Sequence, residues 1–167
     1  MINIRTATLQ DIPTISYIHA ASWRAAYKGI VPQAYLDELK DDFWVNSFTT
    51  CLSKNSIVIK LIEHHSKPIG CISYGKAREE AFSDWGEIVS FYLLPDYFHQ
   101  GYGALLLASA LDALKSEGYQ KVYLWVLKDN RPARNFYGKH HFICTQDEIQ
   151  CEIQGTPLVD VRYTLAL

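Results

Sequence analysis

Two glycines stand just ahead of a leucine-rich stretch in Phe98-His99-Gln100-Gly101-Tyr102-Gly103-Ala104-Leu105-Leu106-Leu107. A turn that leads from a strand into a helix aims free backbone N–H groups and the positive end of the helix dipole at one spot, which suits a phosphate. Gly101 and Gly103 carry no side chain that would hold a phosphate off. The same pattern also serves as a plain tight turn, so the turn by itself leaves both readings open. Two other phosphate-binding designs are excluded by residue type. A Rossmann fingerprint needs a third small residue where Leu106 stands, and a P-loop needs Gly-Lys followed by Ser or Thr.

Other reactive side chains form no recognisable constellation. Cys51, Cys71, Cys144 and Cys151 include no C-x-x-C pair and no histidine at ligand spacing, so they read as reduced, core-filling thiols. His19, His64, His65, His99, His140 and His141 are likewise not arranged as a metal site, and no metal is expected.

The glycine turn needs a strand before it and a helix after it, and the chain supplies both. Trp85 to Leu94 is a β run that stops at Pro95, which cannot donate to a ladder. Gly103, Leu107, Leu111 and Leu114 recur at helical spacing, and Gly118 is placed to end that helix. Upstream, residues 2–8 alternate as a strand, and Asp11 with Pro13 starts a helix running to about Tyr27. Gly29 and Pro32 break it, and one or two short helices follow, ending near Cys51. Residues 56–63 and 68–75 form two strands around a turn at His64-His65-Ser66-Lys67. Downstream, residues 121–126 are apolar on both faces, as in a doubly covered central strand. Asn130 caps a helix with Pro132 in its first turn, running to about His140, and strands near 142–152 and 157–166 close the chain. The order β, helices, βββ, α, β, α, ββ predicts an α/β fold with a mixed, mostly antiparallel sheet of about seven strands and helices on both faces.

Composition narrows the class further. The 167 residues fit one domain, 1–167, and are 49% hydrophobic and 20% charged, with 16 basic and 18 acidic residues and a net charge of −2. The basic residues are scattered, which speaks against a nucleic-acid partner. No apolar run approaches the ~20 residues that span a bilayer, and Met1-Ile2-Asn3-Ile4-Arg5 opens directly as a strand. The expectation is a cytoplasmic protein without membrane association.

The stretch Tyr97-Phe98-His99-Gln100-Gly101-Tyr102-Gly103-Ala104 together with residues 130–142 resembles the GCN5-related N-acetyltransferase (GNAT) family. That family carries an R/Q-x-x-G-x-G/A loop and, downstream, N-x-x-A-x-x-F-Y ahead of a Gly-Phe. The second motif is matched by Asn130, Ala133, Phe136, Tyr137 and Phe142. Phe98 stands where Arg or Gln is usual, and His141 where Gly is frequent. The element order fits the family over nearly the whole chain.

The resemblance implies acetyl transfer from acetyl-coenzyme A to a primary amine by direct attack in a ternary complex. The amine would belong to a small molecule, an amino acid or a peptide, and a homodimer is left open. The amides of Gly101, Gly103 and Ala104, with Gln100 in the same loop, would hold the pyrophosphate. The backbone at Leu93 and Leu94 would pair with the pantetheine arm as an added strand, beside Asn130, Ala133 and Phe136. For Asn130 a helix cap is an equally good reading.

An alkylamine with pKa ~10.4 is neutral about once in 2,500 molecules at pH 7, a penalty of about 4.6 kcal/mol, so a base is worth having. Glu87 lies fourteen residues before Gly101, the spacing at which the histone acetyltransferase branch carries its base; the alternative is a half-buried structural carboxylate. Tyr137 occupies the family's acid position, the alternative being a core aromatic. Trp23, Arg24 and Tyr27 precede a break and would line the acceptor pocket, with Arg24 orienting an acceptor carboxylate. Trp23 and Tyr27 also suit core packing at i, i+4. The competing function is an acyl-coenzyme A sensor that keeps the fold without catalysis.

Overall fold

The computed structural model describes residues 1–167, and in it the strands form a single seven-stranded sheet in the order β1-β2-β3-β4-β5-β7-β6. The elements are β1 (Ile2–Thr6), α1 (Ile12–Ala26), α2 (Gln33–Glu38), α3 (Val45–Ser53), β2 (Val58–His64), β3 (Lys67–Lys76), β4 (Gly86–Leu93), α4 (Tyr102–Ser116), β5 (Lys121–Leu127), α5 (Arg131–Lys139), β6 (Ile143–Ile153) and β7 (Thr156–Ala166). All neighbours pair antiparallel except β4 and β5, which are parallel and joined through α4. The mixed sheet expected from the sequence is the one observed, with boundaries moved by one or two residues.

Local chemistry accounts for the ends of these elements. The hairpin between β2 and β3 turns through His65 and Ser66, both left-handed at φ 49° and 62°, the twist-matched geometry of a two-residue hairpin loop. At the end of α4, Gly118 (φ 95°) donates to Lys115 O and Tyr119 to Leu114 O, closing the helix with a Schellman motif. Asn130 starts α5 by accepting from the Ala133 N–H at 3.3 Å. The family's glycine position before Phe142 is held by His141, which takes up the left-handed conformation (φ 68°) that glycine would adopt without strain.

Alternation along the strands builds two cores. One face packs Ile72, Tyr74, Ile88, Val122 and Leu124 against Leu106, Leu107, Ala110 and Leu114 of α4. The other packs Ile59, Leu61 and Cys71 against Ile12, Ile15 and Ile18 of α1 and Phe48 of α3. A smaller cluster of Val31, Leu36 and Leu158 ties the α1–α2 corner to β7. Helices therefore cover both faces, as the sheet's two-sided hydrophobicity requires.

One polar group is built into the α1 face. His19 is 3% exposed; its Nδ1 donates to the Ile15 carbonyl at 3.0 Å, since a carbonyl can only accept. Its Nε2 therefore accepts from Ser90 Oγ at 3.1 Å, and Ser90 meets Ser73 Oγ at 2.6 Å. Burial lowers the His19 pKa from 6.5 to about 4, so the ring stays neutral in the fold and protonates first in the unfolded chain. Folding stability is fully present above pH 6.5 and is expected to fall toward pH 4 by as much as about 1.4 kcal/mol per pH unit. Urea denaturation as a function of pH measures this slope, and His19→Asn should flatten it.

Candidate active site

Strands β4 and β5 pair only over Gly86–Ile88 with Val122–Leu124, although β4 continues to Leu93 and β5 to Leu127. Beyond that point they part. The register between β3 and β4 shifts at Ser73/Tyr74, where β4 carries the extra residue Val89, and such a bulge bends its strand and increases the local twist. A gap opens in mid-sheet, and one edge of β4 is left without a strand partner.

Hydrogen bonding identifies which groups face that gap. The Leu94 N–H donates to Ile69 O at 2.8 Å, and the Leu94 carbonyl accepts from Tyr97 N at 3.0 Å. The Leu94 N–H thus faces β3 and is not available to an added strand, contrary to the expectation from sequence. Because backbone groups alternate along a strand, Leu93 and Phe91 point away from β3 into the gap. Leu93 also receives the Ser22 hydroxyl on its carbonyl at 2.6 Å, leaving its N–H and a second lone pair. Phe91 was missed because register, not residue type, selects it.

The gap leads to the N-terminus of α4. Gly101 is its N-cap at φ 85°, and the first intrahelical bond runs from Leu105 N to Gly101 O. The N–H groups of Tyr102, Gly103 and Ala104 are therefore free at the positive end of the helix. A Cβ on Gly103 would lie 3.3 Å from Phe136 Cε2 and 3.4 Å from Leu93 Cδ1. Gly103 thus lets α4 approach both the open edge of β4 and Phe136 of α5. Gln100 does not reach outward, since its Nε2 donates to Asp96 O at 2.7 Å and closes the loop. Asn130 is 8% exposed, with its Oδ1 on the Ala133 amide, so the capping reading holds and the Ala133 N–H is occupied.

Tyr137 of α5 sits at the same place. It is 8% exposed among Phe136, Phe142 and Tyr163, and its hydroxyl has no hydrogen-bond partner in the chain. Burial, with Tyr92 nearby, raises its pKa above the ordinary phenol range, so it keeps its proton. On the α1 face of the gap, Tyr92 Oη accepts from Trp23 Nε1 at 3.0 Å and lies 3.1 Å from Tyr27 Oη. Trp23 and Tyr27 meet edge to face at 4.7 Å between ring centroids. Trp23, Tyr27, Tyr92 and Tyr137 converge from three elements.

Two expectations from sequence are redirected. Arg24 bonds Asp41 through both Nη atoms, so its charge is already matched and it does not wait for an acceptor carboxylate. Glu87 is 2% exposed at the start of β4, six residues before Leu93. Its carboxylate accepts from Arg78 Nη2 at 2.6 Å, from Nε and from the Arg78 backbone N–H at 3.0 Å. That is the structural reading left open for it, a strand carboxylate pinned by an arginine. The Arg78 side chain is 64% exposed, so the pair is worth less than a fully buried one. Glu87→Gln is expected to lower stability by about 1–2 kcal/mol, seen as a lower urea midpoint at unchanged m-value, without altering the pH profile of turnover.

A sheet parted between two parallel strands, with a helix N-terminus at the end of the free edge, offers an extended ligand a strand edge that leads to free backbone amides. The chain belongs to the acetyltransferase (GNAT) family, whose profile matches residues 17–142. It is 31% identical over 137 residues to YuaI, an uncharacterized N-acetyltransferase of Bacillus subtilis (strain 168), covering 82% of this chain and 78% of that protein. It is 24% identical over 149 residues to a spermidine N(1)-acetyltransferase of Thermoplasma acidophilum, covering 84% and 88%. Among solved structures, PaiA N-acetyltransferase from Thermoplasma acidophilum, in complex with coenzyme A, aligns over 100% of this chain and 99% of that one at TM-score 0.76 and 22% identity. YncA from Salmonella typhimurium, with acetyl-CoA, aligns over 99% and 93% at TM-score 0.75 and 18% identity. The chain is an N-acetyltransferase. No helix is long and apolar enough to cross a membrane.

Proposed function

We propose that this enzyme transfers the acetyl group of acetyl-coenzyme A to a primary amine by direct attack in a ternary complex. The observation that carries the reading is the continuous path from the open edge of β4 at Phe91 and Leu93 to the free amides of Tyr102, Gly103 and Ala104. The fit of the cosubstrate rests on Gly103, where any side chain would fill the approach between Leu93 and Phe136. Phe91 and Leu93 would hold the pantetheine amides, the first turn of α4 with Gly101 would hold the pyrophosphate, and the Asn130 side-chain NH2 is free to contact the arm. When bound, acetyl-coenzyme A supplies an activated thioester and a thiol leaving group.

Tyr137 carries the proton-donor role. A buried phenol with a raised pKa keeps its proton through neutral pH and donates a hydrogen bond at Oη toward a developing thiolate. Full transfer from a phenol near pKa 10 to a thiolate near 8.5 is already uphill by about 2 kcal/mol, and burial raises that, so hydrogen-bond stabilisation does the larger part. Trp23, Tyr27 and Tyr92 line the acceptor side, where the linked hydroxyls orient the amine.

The test is release of coenzyme A thiol from acetyl-coenzyme A across a panel of alkylamines, polyamines, amino acids and peptides. Turnover of at least one amine is expected. Tight acetyl-coenzyme A binding with no turnover of any amine would instead support a sensor.

A further inference from the structure

Asp160 stands on β7 opposite Leu127 of β5 and Ile149 of β6, on the same face as Leu158 two residues earlier. Leu158 packs with Val31 and Leu36 of the α1–α2 corner, against which Trp23 and Tyr27 also lie, so Asp160 belongs to the aromatic wall just described. Its carboxylate makes no hydrogen bond and no ion pair in the chain, and loss of water is the sole cause that raises its pKa. Its charge is felt by Tyr27 and Tyr92, whose ionisation it disfavours.

Three cations of this part of the fold are committed elsewhere. Arg162 bonds Glu79 and Asp147, Lys128 bonds Glu148, and Arg134 donates to Tyr163 Oη and Lys128 O. A half-buried carboxylate without compensation costs stability, and a ligand cation removes that cost. A second group close to Tyr27 and Tyr92 is also unpartnered, the Tyr137 hydroxyl on a side chain more than nine-tenths buried. The rings of Trp23, Tyr27 and Tyr92 add surfaces that attract cations.

We propose that Asp160 anchors a second positive charge on the acceptor, so that the preferred acceptors are diamines or oligoamines. One end is held as an ammonium ion at the Asp160 carboxylate, and the other is presented as the reacting amine beside Tyr27 and Tyr92. An acceptor carrying a carboxylate is disfavoured, because Asp160 repels it and Arg24 is engaged by Asp41. The proposal rests on the acetyltransferase reading above and adds the acceptor class to it.

The experiment compares α,ω-diamines of two to six carbons with n-butylamine in the thiol-release assay, using the wild-type protein, Asp160→Asn and Asp160→Glu. Calorimetric titration of 1,4-diaminobutane into the protein with coenzyme A gives a readout independent of turnover. The wild type should prefer its best diamine over butylamine by at least about 10-fold in kcat/KM. Asp160→Asn should raise KM for that diamine about 10- to 100-fold with little change in kcat, weaken the calorimetric affinity in parallel and affect kcat/KM for butylamine at least about 10-fold less. Asp160→Glu should retain part of the preference.

Equal use of diamine and butylamine by the wild type, or equal effects of Asp160→Asn on both, overturns the anchor while leaving acetyl transfer intact. A fall in kcat with an altered pH profile and unchanged KM also overturns it, making Asp160 a base. Absence of thiol release with every amine overturns the reading on which the anchor rests.

Discussion

Replacing Tyr137 with phenylalanine is expected to lower kcat by about 100-fold while leaving acetyl-coenzyme A affinity within about 3-fold of wild type. The substitution removes one oxygen and keeps the ring against Phe136, Phe142 and Tyr163. The hydroxyl has no protein partner to orphan, so the fold loses no hydrogen bond and stability should change little. Steady-state kinetics paired with direct binding of coenzyme A separates the two quantities. Weaker binding with unchanged kcat would end the donor role and return Tyr137 to packing. Because burial raises its pKa, loss of the Tyr137 proton should produce no fall in activity up to about pH 10.

The second large effect is expected at Gly103. A Cβ there already comes within 3.3 Å of Phe136 and 3.4 Å of Leu93, nearer than comfortable carbon contacts of about 3.5–4.0 Å. Valine adds two further methyl groups, so Leu93 and Phe136 must separate, and these are the two walls of the path proposed for the cosubstrate. Coenzyme A affinity should fall at least 100-fold, with a stability loss of about 1–3 kcal/mol from overpacking. Gly118→Ala, at the far end of α4, is the control. Nothing lies within 4 Å of a Cβ there, so its cost is the positive φ alone, about 1–2 kcal/mol. If Gly118→Ala weakens coenzyme A as much as Gly103→Val, general damage to α4, and not closure of the path, explains the loss. Calorimetric titration of both variants decides this.

Much of the fold was legible because it follows from short-range rules. The Gly101-Tyr102-Gly103 turn, the α4 periodicity and its Gly118 stop, and the Asn130–Pro132 start of α5 each depend on residues within a few positions of one another. Trp23, Tyr27 and Tyr137 were marked through the family resemblance, and in the fold Trp23 and Tyr27 meet Tyr92, with Tyr137 close by. Arg24, Glu87 and Leu94 were marked through the same resemblance and are engaged elsewhere, by Asp41, Arg78, and Ile69 with Tyr97 respectively. Their partners lie up to twenty-five residues away, and nothing in a residue's own type states whether its charge or amide is already satisfied. For Asp160 a local signal did exist. Leu158, Asp160 and Arg162 alternate onto one face of β7, which puts charged residues where an inward-facing strand position would favour apolar ones.

By itself, then, the amino-acid sequence determined the element order, the mixed sheet and the exposed amides at the start of α4, because helix periodicity, strand alternation, caps and glycine φ angles are properties of neighbours along the chain. The tertiary structure alone decided where β4 leaves β5, which edge groups of Phe91 and Leu93 stay free, and which of the carboxylates Glu87 and Asp160 has an arginine. Those outcomes depend on strand register and on which ion pairs the folded chain closes, where a one-residue shift turns a free N–H into a paired one and a single arginine on the neighbouring connection removes a candidate base.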